Sequence, residues 1–208
     1  MNDASCQTCR FYKYKKQIQW SLYIVCIAIA VILCLWNFEI YGDIFRLMPI
    51  FVGLLLLVQK KYILLRDFII TCVIVLGIAF GCKMGFAFLA AYYGDSESIM
   101  SFVQIAKRPI NGEFKGFPSG HTTAAFIVVA FGWIYCSMKW KILLLILALL
   151  VGYSRIYSTW HTSTQVICGA LLGLGLGFVL LWILKKTHHS IDKMSDKDYN
   201  PSLQENNA

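Results

Sequence analysis

Between Thr122 and Leu184 the chain is apolar almost without a break, interrupted only by the basic tripeptide Lys139-Trp140-Lys141 and a short polar-aromatic link from Ser154 to His161. A soluble domain of 208 residues has no room to bury runs this apolar and this numerous. They are long enough to cross a bilayer, return, and cross again. His121 enters the first run through the tight turn that Pro118 and Gly120 permit, and His161 opens the last, two crossings later. Both imidazoles and Arg155 therefore belong to one side of the membrane, at one depth.

The rest of the chain has the same character, with 58% hydrophobic and only 14% charged residues and a mean hydropathy of +0.63. The expected fold is an all-α integral membrane protein of six transmembrane helices. Its domain spans residues 18–186, between a basic cytoplasmic tail at 1–17 and a polar cytoplasmic tail at 187–208. The earlier spans are expected at Ile18 to about Phe38, at Ile44 to Val58 with a possible kink at Pro49, and from Arg66-Asp67 to about Ala91. Ala28-Ile29-Ala30 has the small residues of a cleavage site. The apolar run continues through Val31 to Trp36, which favours an uncleaved first span. The spacing of Ile99, Phe102, Val103 and Ile105 after Ser96 predicts a short interfacial helix in the loop between the third and fourth spans.

The net charge of +8 does not point to nucleic acid, because the cations gather at the ends of apolar runs. With six spans, Arg10, Lys13, Lys15, Lys16, Lys60, Lys61, Arg66, Lys139, Lys141, Lys185, Lys186, Lys193 and Lys197 fall on one side, thirteen of the 19 Lys and Arg. The positive-inside rule makes that side cytoplasmic. Of the remaining six, Lys83, Lys107, Arg108, Lys115 and Arg155 fall in or near the two-histidine site, and Arg46 does not. Six cysteines lie inside apolar runs as small hydrophobes. Cys6-x-x-Cys9 stands alone, without the second pair that a zinc site needs. In the sixth span Gly169, Gly173 and Gly177 form a smooth ridge for close helix contact. Trp140, Trp160 and Trp182 read as interfacial anchors, and His188 and His189 as idle tail residues.

A phosphoester needs cations and backbone donors around its oxygens, a nucleophile in line with the leaving group, and an acid to protonate that group. Arg108 and Arg155 offer planar forks, Lys83 a point charge, and Ser119, Gly120 and His121 the N–H groups of a helix start. Two histidines on facing helix ends can divide attack and proton donation.

The order Arg108-Pro109, then Phe117-Pro118-Ser119-Gly120-His121, then Ser154-Arg155 with His161 six positions after the arginine, resembles the three-part signature of the type-2 phosphatidic acid phosphatase family. The resemblance covers nearly the whole membrane portion. It implies a metal-independent six-helix enzyme without cofactor. His161 would be the nucleophile, His121 the general acid, and Arg108, Ser119, Gly120 and Arg155 the phosphate cradle. Two positions depart from the pattern. Ser101 stands where the family has a lysine, so Lys83 is the substitute, and Gln165 stands where an aspartate would orient the nucleophile. An amide oxygen can still accept the imidazole N–H, though it carries no charge. The enlarged gap before Arg-Pro, with Gly112 and Phe114 ahead of Pro-Ser-Gly-His, is similar to some bacterial lipid A phosphatases.

The expected activity is therefore hydrolysis of a phosphate from a membrane lipid, with lipid A (1- or 4′-phosphate) favoured, on the periplasmic face of a bacterial inner membrane. Undecaprenyl diphosphate and phosphatidylglycerophosphate are the alternative substrates, and a catalytically silent lipid-binding relative is the rival reading that Gln165 motivates. The partner is a phospholipid or lipid A substrate in the membrane, not a nucleic acid.

Overall fold

The computed structural model describes residues 21, 24–25 and 27–199, with side chains as far as His188. The basic N-terminal tail, the Cys6–Cys9 pair and the first part of the expected first span lie outside the described residues. Within them the chain is all-helical: α1 (Ile27–Trp36), α2 (Phe38–Phe45), α3 (Met48–Val58), α4 (Tyr62–Tyr92), α5 (Glu97–Val103), α6 (Gly120–Tyr135), α7 (Met138–Tyr157), α8 (Ser163–Leu171) and α9 (Gly177–Tyr199). A 3₁₀ turn, Gln104–Ala106, extends α5, and a π turn, Leu172–Leu176, joins α8 to α9. Four stretches are long and apolar enough to cross a membrane: Phe38–Val58, Tyr62–Tyr92, Met138–Tyr157 and Ser163–His188. Two more helices are apolar but shorter, Ile27–Trp36 and Gly120–Tyr135.

α6 is the centre of the bundle. It is apolar all round, as a helix enclosed on every side must be, and each residue from Thr122 to Gly132 is buried. It packs against α3, α4, α7, α8 and α9. The expected glycine ridge is what lets the last two helices come close. A Cβ added at Gly169 would lie 2.6 Å from Ser119 O, and one at Gly173 would lie 2.4 Å from Thr123 O. Leu, Ile, Val and Phe side chains cover the outside of the bundle instead, on α3 and α4 above all. An apolar exterior of this extent suits hydrocarbon as the solvent.

Residues 39–43, expected as the link between the first two spans, are helical. Asn37 Oδ1 accepts from Glu39 N at 3.1 Å and Ile40 N at 3.0 Å, which satisfies the first free amides and starts α2. The break falls at Arg46–Leu47, between α2 and α3. Pro49 then sits in the first turn of α3, where a missing N–H costs nothing, so it begins a helix rather than kinking one. α2 docks on α7 through Phe38 against Tyr153 and Tyr157, and through Tyr41 Oη donating to Leu147 O at 3.2 Å.

α2 and α7 come close at Gly42. Arg155 of α7 lies across its backbone, and a Cβ there would be 2.2 Å from Nη2 and 2.5 Å from Cζ. Gly42→Ala is therefore expected to lower stability by about 2 kcal/mol, measured by thermal unfolding in detergent. Gly175→Ala, where nothing lies within 4 Å, is the control and costs little.

At the other end of α4 from Lys83, the buried Asp67 accepts from Arg66 Nη2 at 3.0 Å and pairs with His188 Nε2 at 3.0 Å. His188, expected to be idle, thus ties α9 to α4.

Candidate active site

Four local structures converge on one cleft. The first is the start of α6. Phe117–Pro118 is a cis peptide, Ser119 stands at the N-cap position without a side-chain cap bond, and Gly120 and His121 form the first turn, where amide groups have no partner within the helix. The second is the end of α7, where Arg155 lies in the last turn. The helix closes through Thr159, whose φ of +57 is the left-handed conformation that glycine usually takes at this position. This turn folds His161 back so that its N–H donates to Arg155 O at 3.1 Å. His161 therefore precedes α8 rather than opening it, and Thr162 caps α8 in a reciprocal box with Gln165.

The third structure is the loop after α5, which carries Arg108. Its N–H donates to Glu113 O at 2.8 Å, its guanidinium meets Glu113 Oε2 at 3.3 Å, and it lies 5.7 Å from the Trp160 ring centroid. The fourth is α2. Glu39, Asp43 and Arg46 are spaced at i, i+4 and i+7 and so share one face, and all three line the cleft.

The cleft has a volume of about 300 Å³ and is lined by Glu39, Asp43, Arg46, Arg108, His121, Arg155, Trp160 and His161. The fold thus brings together both histidines and both arginines singled out in the sequence, from positions up to 53 residues apart. Arg155 is almost fully buried; its Nη2 donates to Glu39 O at 2.8 Å and its Nη1 to Asp43 Oδ1 at 3.3 Å. The Nε atoms of Arg108 and Arg155 are buried without a hydrogen-bond partner among the described residues. A buried donor left without an acceptor is costly, and two of them beside one cleft suit an anion.

Lys83 does not line the cleft but stands beside it, its Nζ 3.5 Å from where a Cβ on Gly120 would be. Ser119 is completely buried behind the helix start. Its N–H donates to Gln165 O at 2.9 Å, and its hydroxyl bonds that of Thr122 at 3.0 Å. Lys107 and Lys115 are exposed, outside the lining.

Gln165 is the best-defined group of all. Fully buried, its Nε2 donates to Ile105 O at 2.8 Å and Lys107 O at 2.9 Å, and its Oε1 faces His161 Nδ1 at 2.9 Å. Two carbonyls fix which end of the amide is which. An amide oxygen only accepts, so His161 carries its proton on Nδ1 and keeps the Nε2 lone pair free. Burial, helped by the cations Lys83 and Arg108 and opposed by the Gln165 hydrogen bond, holds the His161 imidazole down to about 4. It is neutral, with its Nε2 lone pair free, throughout the neutral range.

The sequence reading missed α2. Arg46, set apart from the site there, lines it, with Nη1 3.9 Å from Asp43. Trp160, read as an interfacial anchor, donates its indole N–H to Glu39 Oε1 at 3.0 Å. Asp43 accepts from His121 Nε2 at 3.2 Å. The available signal was the run Glu39, Asp43, Arg46 at helical spacing, next to a glycine.

Residues 87–188 match the family model described as the PAP2 superfamily. A curated relative, the "Lipid A 4'-phosphatase" of Helicobacter pylori strain J99, is 34% identical over 143 residues, covering 68% of each chain. The chain belongs to the PAP2 superfamily. Two Arabidopsis thaliana members match over shorter stretches. "Probable lipid phosphate phosphatase 4" is 33% identical over 33% of this chain and 27% of its own length, and "Lipid phosphate phosphatase 2" is 36% identical over 33% and 29%. No solved structure matches. The matched PAP2 segment holds Arg108, Ser119, Gly120, His121, Arg155, His161 and Gln165, and begins after Lys83 and the whole of α2.

Proposed function

We propose that this chain, a lipid phosphatase of the PAP2 superfamily, removes a phosphate from the head group of lipid A through a phosphohistidine on His161. The Nε2 lone pair attacks phosphorus while the bond to the departing alkoxide breaks, and His121 hands that oxygen a proton. Water, its proton taken by His121, then opens the phosphohistidine and releases inorganic phosphate. Arg108, Arg155, Lys83 and the first amides of α6 hold the phosphoryl oxygens, with Gly120 leaving Lys83 room to approach and Ser119 anchoring the turn. Gln165 keeps His161 in its attacking tautomer. The observation that carries this reading is the locked amide behind a cleft-facing imidazole, with two arginines opposite.

The name of the Helicobacter pylori relative favours the 4′-phosphate as the first position to test. Undecaprenyl diphosphate and phosphatidylglycerophosphate fit the same cradle. The charge distribution favours six spans with both tails cytoplasmic and the cleft facing the periplasm of a bacterial inner membrane. The membrane domain is residues 18–186, and α5 lies along the interface.

The deciding experiment is mass spectrometry of lipid extracts from cells with and without the protein. Lipid A lacking one phosphate only when the protein is present supports the assignment. Unchanged lipid A, with a changed undecaprenyl or phosphatidylglycerol pool, moves it to the alternatives. Phosphate release from purified protein in detergent separates either enzyme from a silent lipid-binding relative. The neutral nucleophile adds a pH expectation. Once the substrate's own ionisation is divided out, kcat/KM should show no acid limb from His161 above about pH 5, since the imidazole stays deprotonated down to about 4.

A further inference from the structure

Asp43 has no part in the mechanism above, yet it is bonded to one of its two histidines. His121 Nε2 lies 3.2 Å from Asp43 Oδ1, and Arg155 Nη1 reaches the same oxygen at 3.3 Å. A carboxylate only accepts and a guanidinium only donates. The 3.5 Å approach of Arg155 Nη1 to His121 Nε2 is therefore a contact between donors, and the proton between His121 and Asp43 sits on Nε2. Glu39, the other carboxylate of the cleft, is turned away towards Trp160. The charged or titratable groups around His121 are Asp43 and Arg46 from α2, Arg155 from α7 and His161 across the cleft.

We infer that Asp43 is the positioning residue of the acid: it holds the proton on His121 Nε2, at the edge of the ring that lines the cleft, until the leaving oxygen takes its place as acceptor. Arg155 alone would favour the deprotonated ring, since like charges oppose one another. The carboxylate between them offsets part of that and fixes the ring's rotation. The face of α2 that carries Asp43 is held in register by Gly42, so the carboxylate reaches His121 only because the helix lies flat on Arg155.

This inference rests on the phosphatase reading, and its test separates the two. Asp43→Asn keeps the shape and an accepting oxygen but removes the charge. Purified wild type and variant are assayed on a lipid alkyl phosphate, whose leaving group needs a proton, and on an aryl phosphate, whose leaving group does not. For the alkyl substrate the expected result is a fall in kcat of roughly 10–100-fold with KM unchanged, and a basic limb of the pH profile moved to lower pH. The aryl substrate should fall no more than about threefold by the same reasoning. Equal losses on both substrates would overturn the inference and make Asp43 a structural brace for Arg155. A lower KM with unchanged kcat would also overturn it, marking Asp43 as an anion that merely occupies the cradle. Wild type that releases no phosphate from either substrate overturns the phosphatase reading itself.

Discussion

His161→Ala is expected to reduce phosphate release by roughly 10⁴-fold or more, the scale on which loss of a covalent nucleophile is felt, while leaving the protein folded. The side chain lies at the end of a loop rather than within a helix, and its hydrogen bond to Gln165 joins groups that are otherwise well anchored. Its removal should therefore change thermal unfolding little. The complementary measurement is a trapping experiment: wild type quenched in alkali during turnover of a labelled substrate retains label on protein, and His161→Ala retains none. Label retained by the variant, or full activity without residue 161, would require a different nucleophile.

The second large effect concerns Gln165, at the position where the family resemblance expects an aspartate to orient the nucleophile. The geometry reverses that expectation. The amide nitrogen is held between Ile105 O and Lys107 O, and no carboxylate oxygen can stand 2.8 and 2.9 Å from two carbonyl oxygens without repulsion. Gln165→Glu places an acceptor against acceptors, and Gln165→Asp is one methylene too short to reach both the carbonyls and His161. Each should lose about 3 kcal/mol of stability, the sum of two buried acceptors left unsatisfied. Each should also lose on the order of 100-fold in kcat, because the loop before Arg108 is no longer fixed to His161. Unfolding in detergent and steady-state kinetics measure the two losses. An aspartate variant as active and stable as wild type would mean that the loop finds another anchor.

What could be read in the sequence follows from how local each feature is. The helical class, the opening of α6 at Gly120–His121 and the meeting of Arg155 with His161 all depend on apolar runs and turn residues next to one another in the chain. They were legible. The glycines at 169, 173 and 177 were legible too, because small residues at a fixed interval predict a close neighbour whatever its identity. Gln165 was recognised as the group behind His161, but its second function was not, since Ile105 and Lys107 carry no mark as acceptors. α2 was misread for a physical reason. Glu39 and Asp43 in an otherwise apolar stretch look like the polar end of a span when their partners are unknown. Their main partner, Arg155, lies more than a hundred residues later.

The region matched to the family begins at residue 87, whereas Glu39, Asp43 and Arg46 form a wall of the same cleft from well before it. Reactive groups and enclosing wall are thus inherited from different parts of the gene. Because Asp43 on that wall bonds both His121 and Arg155, a mutation there is felt by the groups it encloses. Exchanging the α2 segment between relatives is accordingly expected to change turnover as well as the enclosing surface.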